Sequence, residues 1–223
     1  MNKYTKKISQ NGNYAPMSRK VCDIIKEVKA GSKIVAIASS TGGPHALHSV
    51  IPKLPRNLDA PILLVQHMPK SFTQSLAGRL DELSALKVKE AVDGEELRKG
   101  TVYVAQGGMH MKVYHSTTGK YLIRYSDEPV RDGVKPNANY MYESLAESGF
   151  SSIICVVLTG MGADGTEGIT ALKKTECTYV IAQDEESCTV YGMPKSIVQA
   201  GLSDKVLPLD QISNEIVRQV GVQ

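Results

Sequence analysis

Residues 33–54 read KIVAIASSTGGPHALHSVIPKL. Ile34 to Ala38 are apolar at consecutive positions, as in a strand covered on both faces. The turn Ser39-Ser40-Thr41-Gly42-Gly43-Pro44 then leads into a helical pattern. The alternation recurs downstream. PILLVQ (61–66) precedes SFTQSLAGRLDEL (71–83), SIICVVLT (152–159) precedes TEGITALKK (166–174), and TYVIAQ (178–183) precedes MPKSIVQAG (193–201). Strands alternating with helices specify right-handed βαβ units. The expected fold is therefore α/β, a three-layer α/β/α, doubly wound and mostly parallel sheet. One stretch breaks the rhythm: TVYVAQGGMHMKVYHSTTGKYLIRYSD (101–127) alternates with period two, has turn signals at Gly107-Gly108 and Thr118-Gly119, and reads as an inserted antiparallel hairpin. After it, Asn137 is placed to cap a helix over NANYMYESLAES (137–148).

Outside these units, residues 1–30 are polar and weakly periodic, with a short helical pattern only in VCDIIKEVKA (21–30), and read as an N-terminal arm. Residues 31–223 form the one main domain expected of 223 residues that are 42% hydrophobic. A formal charge of +3, from 26 basic and 23 acidic residues scattered along the chain, gives no footprint for nucleic acid. No run approaches the roughly 18 apolar residues that span a bilayer, and the N-terminus lacks a signal-peptide core, so no membrane insertion and a cytoplasmic location are expected. Cys22, Cys155, Cys177 and Cys188 form no C-x-x-C pair and read as reduced structural thiols. His45 and His48 share a helix face without a third ligand nearby, so no metal is expected.

In an open α/β sheet, ligands collect beyond the carboxyl ends of the strands. Three strand ends carry complementary groups. Ser40 follows the first strand, where a strand-to-helix turn exposes a hydroxyl beside helix N-terminal N–H groups able to hold an oxyanion. Its bland reading is a helix cap. His67 ends the second run just before Met68-Pro69, and an imidazole, titrating near pH 6.5 in water, suits a base near neutrality. Its alternative is a hydrogen-bonded structural histidine. Asp164 lies in GMGADG (160–165), where glycines permit close approach and a carboxylate can orient the imidazole. A phosphate-cradling loop is the rival there, but neither glycine stretch matches a nucleotide fingerprint, and the carboxylate disfavours phosphate. The three residues read as a nucleophile, base and acid, a triad that requires no cofactor. Their chain order matches none of the chymotrypsin, subtilisin or α/β-hydrolase orders, and G-x-S-x-G is absent.

Five ordered segments, IASSTGGP (37–44), VQHMPKSFTQSLAGRL (65–80), EAVDGEELRKGTVYVAQGG with HM (90–111), VVLTGMGADGTEG (156–168) and IAQDEESCTVYGMPKSI (181–197), resemble the catalytic domain of the chemotaxis protein-glutamate methylesterases, the CheB family. The likeness runs from about Lys33 to Ile212. It implies Ser40 as nucleophile, His67 as base and Asp164 as its orienting acid, with Thr41 as a supporting hydrogen-bonder and the backbone N–H of Met161 in the oxyanion hole. The implied reaction is hydrolysis of γ-glutamyl methyl esters on methylated chemoreceptor helices, with glutamine deamidation as a second activity. Members of the family usually carry an N-terminal receiver domain, for which about 30 residues are too few. The expectation is a stand-alone, constitutively active esterase, since Met1 and an untagged arm favour that over a cut chain. Where the family has R-P-S-x-D, this chain reads Lys135-Pro136-Asn137-Ala138-Asn139, and Gln106 stands where a proline is usual. The alternatives are an esterase for another substrate or pathway, or a non-catalytic α/β ligand-binding protein.

Overall fold

The computed structural model describes residues 32–175 and 177–223; the N-terminal arm read from the sequence lies outside the described residues. The first strand, β1 (Lys33–Ser39), is buried from Ile34 onward and runs through the middle of a seven-stranded parallel sheet. It is followed by α1 (Gly43–Val50), β2 (Ile62–Gln66), α2 (Lys70–Leu83), β3 (Lys87–Glu90) and β4 (Thr101–Val104). A two-stranded antiparallel unit, β5 (His110–His115) with β6 (Tyr121–Ser126), separates these from α3 (Ala138–Ala146). The chain then continues through β7 (Ser152–Val157), α4 (Thr166–Thr175), β8 (Thr178–Gln183), α5 (Met193–Gln199), β9 (Lys205–Leu207) and α6 (Leu209–Val220).

The sheet order is β3-β4-β2-β1-β7-β8-β9, so the chain winds outward from β1 in both directions. Alternation along β1 divides the interior. Ile34, Ala36 and Ala38 join the layer containing α3, α4, α5 and the β5–β6 unit, whereas Val35 and Ile37 join the layer containing α1, α2 and α6. The three layers of the expected α/β/α fold are thus present. Each fully buried Ile, Leu or Val contributes roughly 1.5–3 kcal/mol by leaving water. Truncating Ile37 to Ala at the centre of the sheet would cost about 2–5 kcal/mol through lost contacts and a cavity. Tyr142 of α3 reaches between the two central strands, its hydroxyl 3.4 Å from the Ala36 carbonyl and 3.3 Å from that of Val156, which explains a tyrosine with no solvent exposure.

The hairpin is shorter than the sequence suggests. TVYV (101–104) is not part of it but is β4, parallel to both β2 and β3. Val102 and Val104 fill one layer and Tyr103 the other, so both faces of this strand are covered. Period two in residue type therefore did not mark one wet face here. The turn at Ser116–Lys120 does close β5 on β6, with the Ser116 amide donating to the Lys120 carbonyl at 2.8 Å. The edge strands β3 and β9 escaped the sequence reading because they are short and carry lysines, as exposed sheet edges do. Asn137 caps α3 as expected, its side chain accepting from the Asn139 amide at 3.0 Å. Among the described residues no helix is long and apolar enough to cross a membrane.

Candidate active site

The winding direction switches at β1, the place where open sheets form a crevice beyond the carboxyl ends of their strands, here β1, β2 and β7. Register sets Ser39 opposite Gln66, so the next residue of each chain, Ser40 and His67, emerges side by side. The His67 amide continues the ladder by donating to the Ser39 carbonyl at 3.1 Å. On the other flank the Ser40 amide donates to the Thr159 carbonyl at 3.0 Å, tying the serine loop to the end of β7.

Gln66 secures this arrangement, a role the sequence reading missed. Its Nε2 donates to the carbonyls of both Ser40 and His67, each at 3.0 Å, and its Oε1 accepts from Ser39 Oγ at 2.7 Å. The Gln66 oxygen occupies the space a Cβ at position 43 would need, which is why the turn carries Gly43. Gly160 has a similar cause. A Cβ there would lie 2.8 Å from the Ser40 Cβ and would strike Met193, so glycine lets the loop after β7 close over the serine. The only sequence signal for Gln66 was a polar residue ending an apolar run.

His67 and Asp164 meet directly, His67 Nε2 standing 2.7 Å from Asp164 Oδ2, with side-chain exposures of 9% and 3%. The carboxylate is held from its far side by the first turn of α3. Ala138 N donates to Oδ2 at 2.6 Å and Asn139 N to Oδ1 at 3.0 Å. A helix N-terminus has free N–H groups and partial positive charge, which suits a buried anion. Asn139 Oδ1 in turn accepts from the Gly165 and Gly168 amides at 3.0 and 2.9 Å, locking the aspartate loop onto α3. The two asparagines that depart from the family pattern thus both serve as hydrogen-bond acceptors. Gln106 uses its amide N–H, which proline lacks, to donate to Tyr125 Oη at 3.0 Å.

The remaining site residues are more open. The Ser40 hydroxyl makes no hydrogen bond among the described residues, and His67 is bonded through its ring only to Asp164. Thr41 is exposed; its carbonyl accepts from Thr159 Oγ1 at 2.9 Å, while its own hydroxyl has no partner among the described residues. Met161 projects into solvent at 69% exposure. The backbone amides of Thr41 and Met161 have no acceptor among the described residues. Gly43 N, by contrast, is spent on the Ser40 carbonyl at 2.8 Å, and residue 44 is a proline, so the start of α1 offers fewer donors than the sequence implied. Burial, with Asp184 and Glu185 adding to it and Thr159 opposing, pushes the thiol of Cys188, on the loop after β8, up to about 11.

Among the described residues no cluster of three or more His, Cys, Asp or Glu side chains has the arrangement to hold a metal ion.

The family model described as CheB methylesterase matches residues 35–216. A Geobacillus kaustophilus protein named protein-glutamate methylesterase/protein-glutamine glutaminase is 47% identical over 84% of this chain and 54% of its own length. A protein of the same name from Bacillus licheniformis is 40% identical over 95% of this chain and 62% of its own. The chain spans about half the length of the curated relatives it matches. Among solved structures, the crystal structure of the Thermotoga maritima CheB methylesterase catalytic domain superposes with a TM-score of 0.81 at 45% identity, covering 84% of this chain and 98% of that one. With the matched region spanning every strand but part of the first, and every group of the crevice, the chain belongs to the CheB methylesterase family.

Proposed function

We propose that this chain is a cytoplasmic serine esterase that hydrolyses γ-glutamyl methyl esters on chemoreceptor helices and deamidates receptor glutamines through Ser40, His67 and Asp164. The observation that carries the reading is the 2.7 Å contact between His67 Nε2 and a buried carboxylate, made at the strand end beside a serine whose hydroxyl has no partner among the described residues. The contact commits the Nε2 proton to Asp164 and leaves Nδ1 as the acceptor. Base catalysis then runs from the ring nitrogen opposite to the one used in the chymotrypsin template.

Ser40 Oγ adds to the ester carbonyl carbon while its proton passes to His67 Nδ1. The resulting imidazolium faces the ionised Asp164, and the oxyanion is met by the amides of Met161 and Thr41. Collapse of the tetrahedral adduct breaks the bond to methoxide, which takes the proton from Nδ1 and departs as methanol. Water, deprotonated by the same nitrogen, then releases the glutamate side chain and restores Ser40. A glutamine substrate follows the same path with ammonia as the leaving group. The Ser40–His67 hydrogen bond, absent among the described residues, forms in the Michaelis complex, as is common for such pairs.

Methanol release from membranes rich in methylated chemoreceptor tests the reading. The wild-type chain should release it catalytically, and Ser40→Ala should lower the rate by about three orders of magnitude or more with an unchanged unfolding transition. Comparable rates from both proteins would refute it.

A further inference from the structure

We infer that His110 is a positioning residue for the His67–Asp164 pair, acting through the first turn of α3. The inference rests on the triad reading above. His110 begins β5, is fully buried and makes no hydrogen bond to Ser40, His67 or Asp164 among the described residues, yet three consecutive backbone amides connect it to the carboxylate. Asn137 N donates to His110 Nδ1 at 3.1 Å; the next two amides, Ala138 N and Asn139 N, are those that hold Asp164. On the other side of the ring, Nε2 lies 3.1 Å from the Pro129 carbonyl, an acceptor only. These two contacts define one tautomer, neutral with the proton on Nε2.

Protonation is where this histidine differs from a passive core residue. A proton on Nδ1 would point at the N–H of Asn137, turning a hydrogen bond into a clash of two donors. The first turn of α3 would have to move, and Asp164 moves with it. Burial holds the His110 imidazole below its ordinary range, and Lys135 adds to this, against the Pro129 carbonyl and Glu128, which favour the charged form. Asp127 and Glu128 precede Pro129 on the same segment that carries Lys135. From α3 the Tyr140 ring packs 4.4 Å from the imidazole, and Lys112 and Arg131 sit over that tyrosine at 5.1 and 5.2 Å. The two contacts and burial both favour the neutral ring, so uptake of a proton should break the Asn137 contact and disturb the site.

The full chain tests this with two variants, His110→Asn, whose side-chain oxygen can take the place of Nδ1 but cannot be protonated, and His110→Phe, which keeps the ring but has no acceptor. In the wild type, kcat should fall on the acid side through loss of two protons' worth of slope, one for His67 and one for His110. His110→Asn should keep neutral-pH kcat within about threefold and reduce the acid limb to a single proton. His110→Phe should lower kcat about a hundredfold with KM within about twofold, the scale expected when a catalytic group is displaced by about an ångström. It should also broaden or abolish the downfield proton resonance of the His67–Asp164 hydrogen bond, which His110→Asn retains. Wild-type kcat and an intact resonance in His110→Phe would overturn the inference, as would a two-proton limb surviving in His110→Asn. Should His110→Phe not fold, the limb of His110→Asn decides alone. The resonance needs no turnover, so it still reports on His110 if Ser40→Ala shows the triad reading itself to be wrong.

Discussion

The two sides of the crevice are built to different standards. On the acid side, Asp164 is 4% exposed and accepts from His67, Ala138 and Asn139, while Asn139 grips the loop on which the aspartate rides. On the side of the proposed nucleophile, Met161 is 69% exposed, and among the described residues the serine hydroxyl is unbonded and two amides have no acceptor. The proposed function accounts for the difference. A buried charge is costly unless fully hydrogen-bonded, and reorganising it during a reaction would add to the barrier, so the carboxylate is fixed before substrate arrives. The side proposed to receive the ester cannot be filled in advance. If the substrate is a segment of a folded helix, as proposed, the opening must be broad and not a closed pocket.

The largest effect is expected from damage to the fixed side. Asp164→Asn conserves shape but replaces one acceptor oxygen with a donor NH2, and every neighbour of that carboxylate is itself a donor. Either the amides of α3 or His67 must lose its partner. Turnover should fall by up to about four orders of magnitude, through loss of the anionic partner and of the correct tautomer, and stability by about 1–3 kcal/mol. Ester hydrolysis and thermal unfolding measured on the same preparation check both numbers. A loss below tenfold would mean that the two sides are not functionally distinct and that Asp164 is a loop residue.

A smaller loss should follow from loosening the join between the sides. Gln66→Leu removes two donors and one acceptor that staple Ser39, Ser40 and His67, while nearly conserving volume. The strand register that pairs Ser39 with Gln66 remains, so the chain should fold, at a cost of about 1–3 kcal/mol for the stranded polar partners. The serine and imidazole would drift, and kcat should drop by about tenfold to a hundredfold with KM little changed. Full activity in this variant would show that register alone holds the nucleophile to its base.

What could be read from the sequence divides along the same line. Apolar runs such as ILLVQ and SIICVV announce buried parallel strands, and polar residues just past their ends announce the crevice, because strand burial is written locally in consecutive side chains. Ser40, His67 and Asp164 were singled out as candidates that way. Gln66 looked like the last residue of a strand, and His110 like a letter in a motif. Neither carries a local mark, since each acts on groups distant along the chain: Gln66 on Ser40 at a separation of 26 residues, His110 on Asn137 at 27. Asn139 was legible only as a departure from a family pattern. Its work, accepting from Gly165 and Gly168, becomes visible once α3 and the loop after β7 are packed together. The hairpin boundary failed for a related reason: Val-Tyr-Val alternates in size and type whether one face or both are buried, and only the neighbours of β4 settle which.

The smallest effect should come from the most conspicuous residue of the open side. The Met161 side chain is well exposed, so it has little packing to lose. The function proposed for position 161 resides in the backbone N–H, which any residue but proline supplies, between glycines whose freedom shapes the loop. Met161→Ala should therefore change neither the unfolding free energy, beyond about 0.5 kcal/mol, nor kcat, beyond about threefold. Any effect should fall on KM, because an exposed apolar side chain at the rim of a crevice can add contact with a bound helix without altering the transition state. Steady-state kinetics on methylated receptor, set beside a small methyl ester that cannot reach the rim, separates these contributions. A tenfold loss of kcat on both substrates would mean that the open side is ordered by the Met161 side chain itself, and the contrast between a fixed acid side and an open nucleophile side would have to be redrawn.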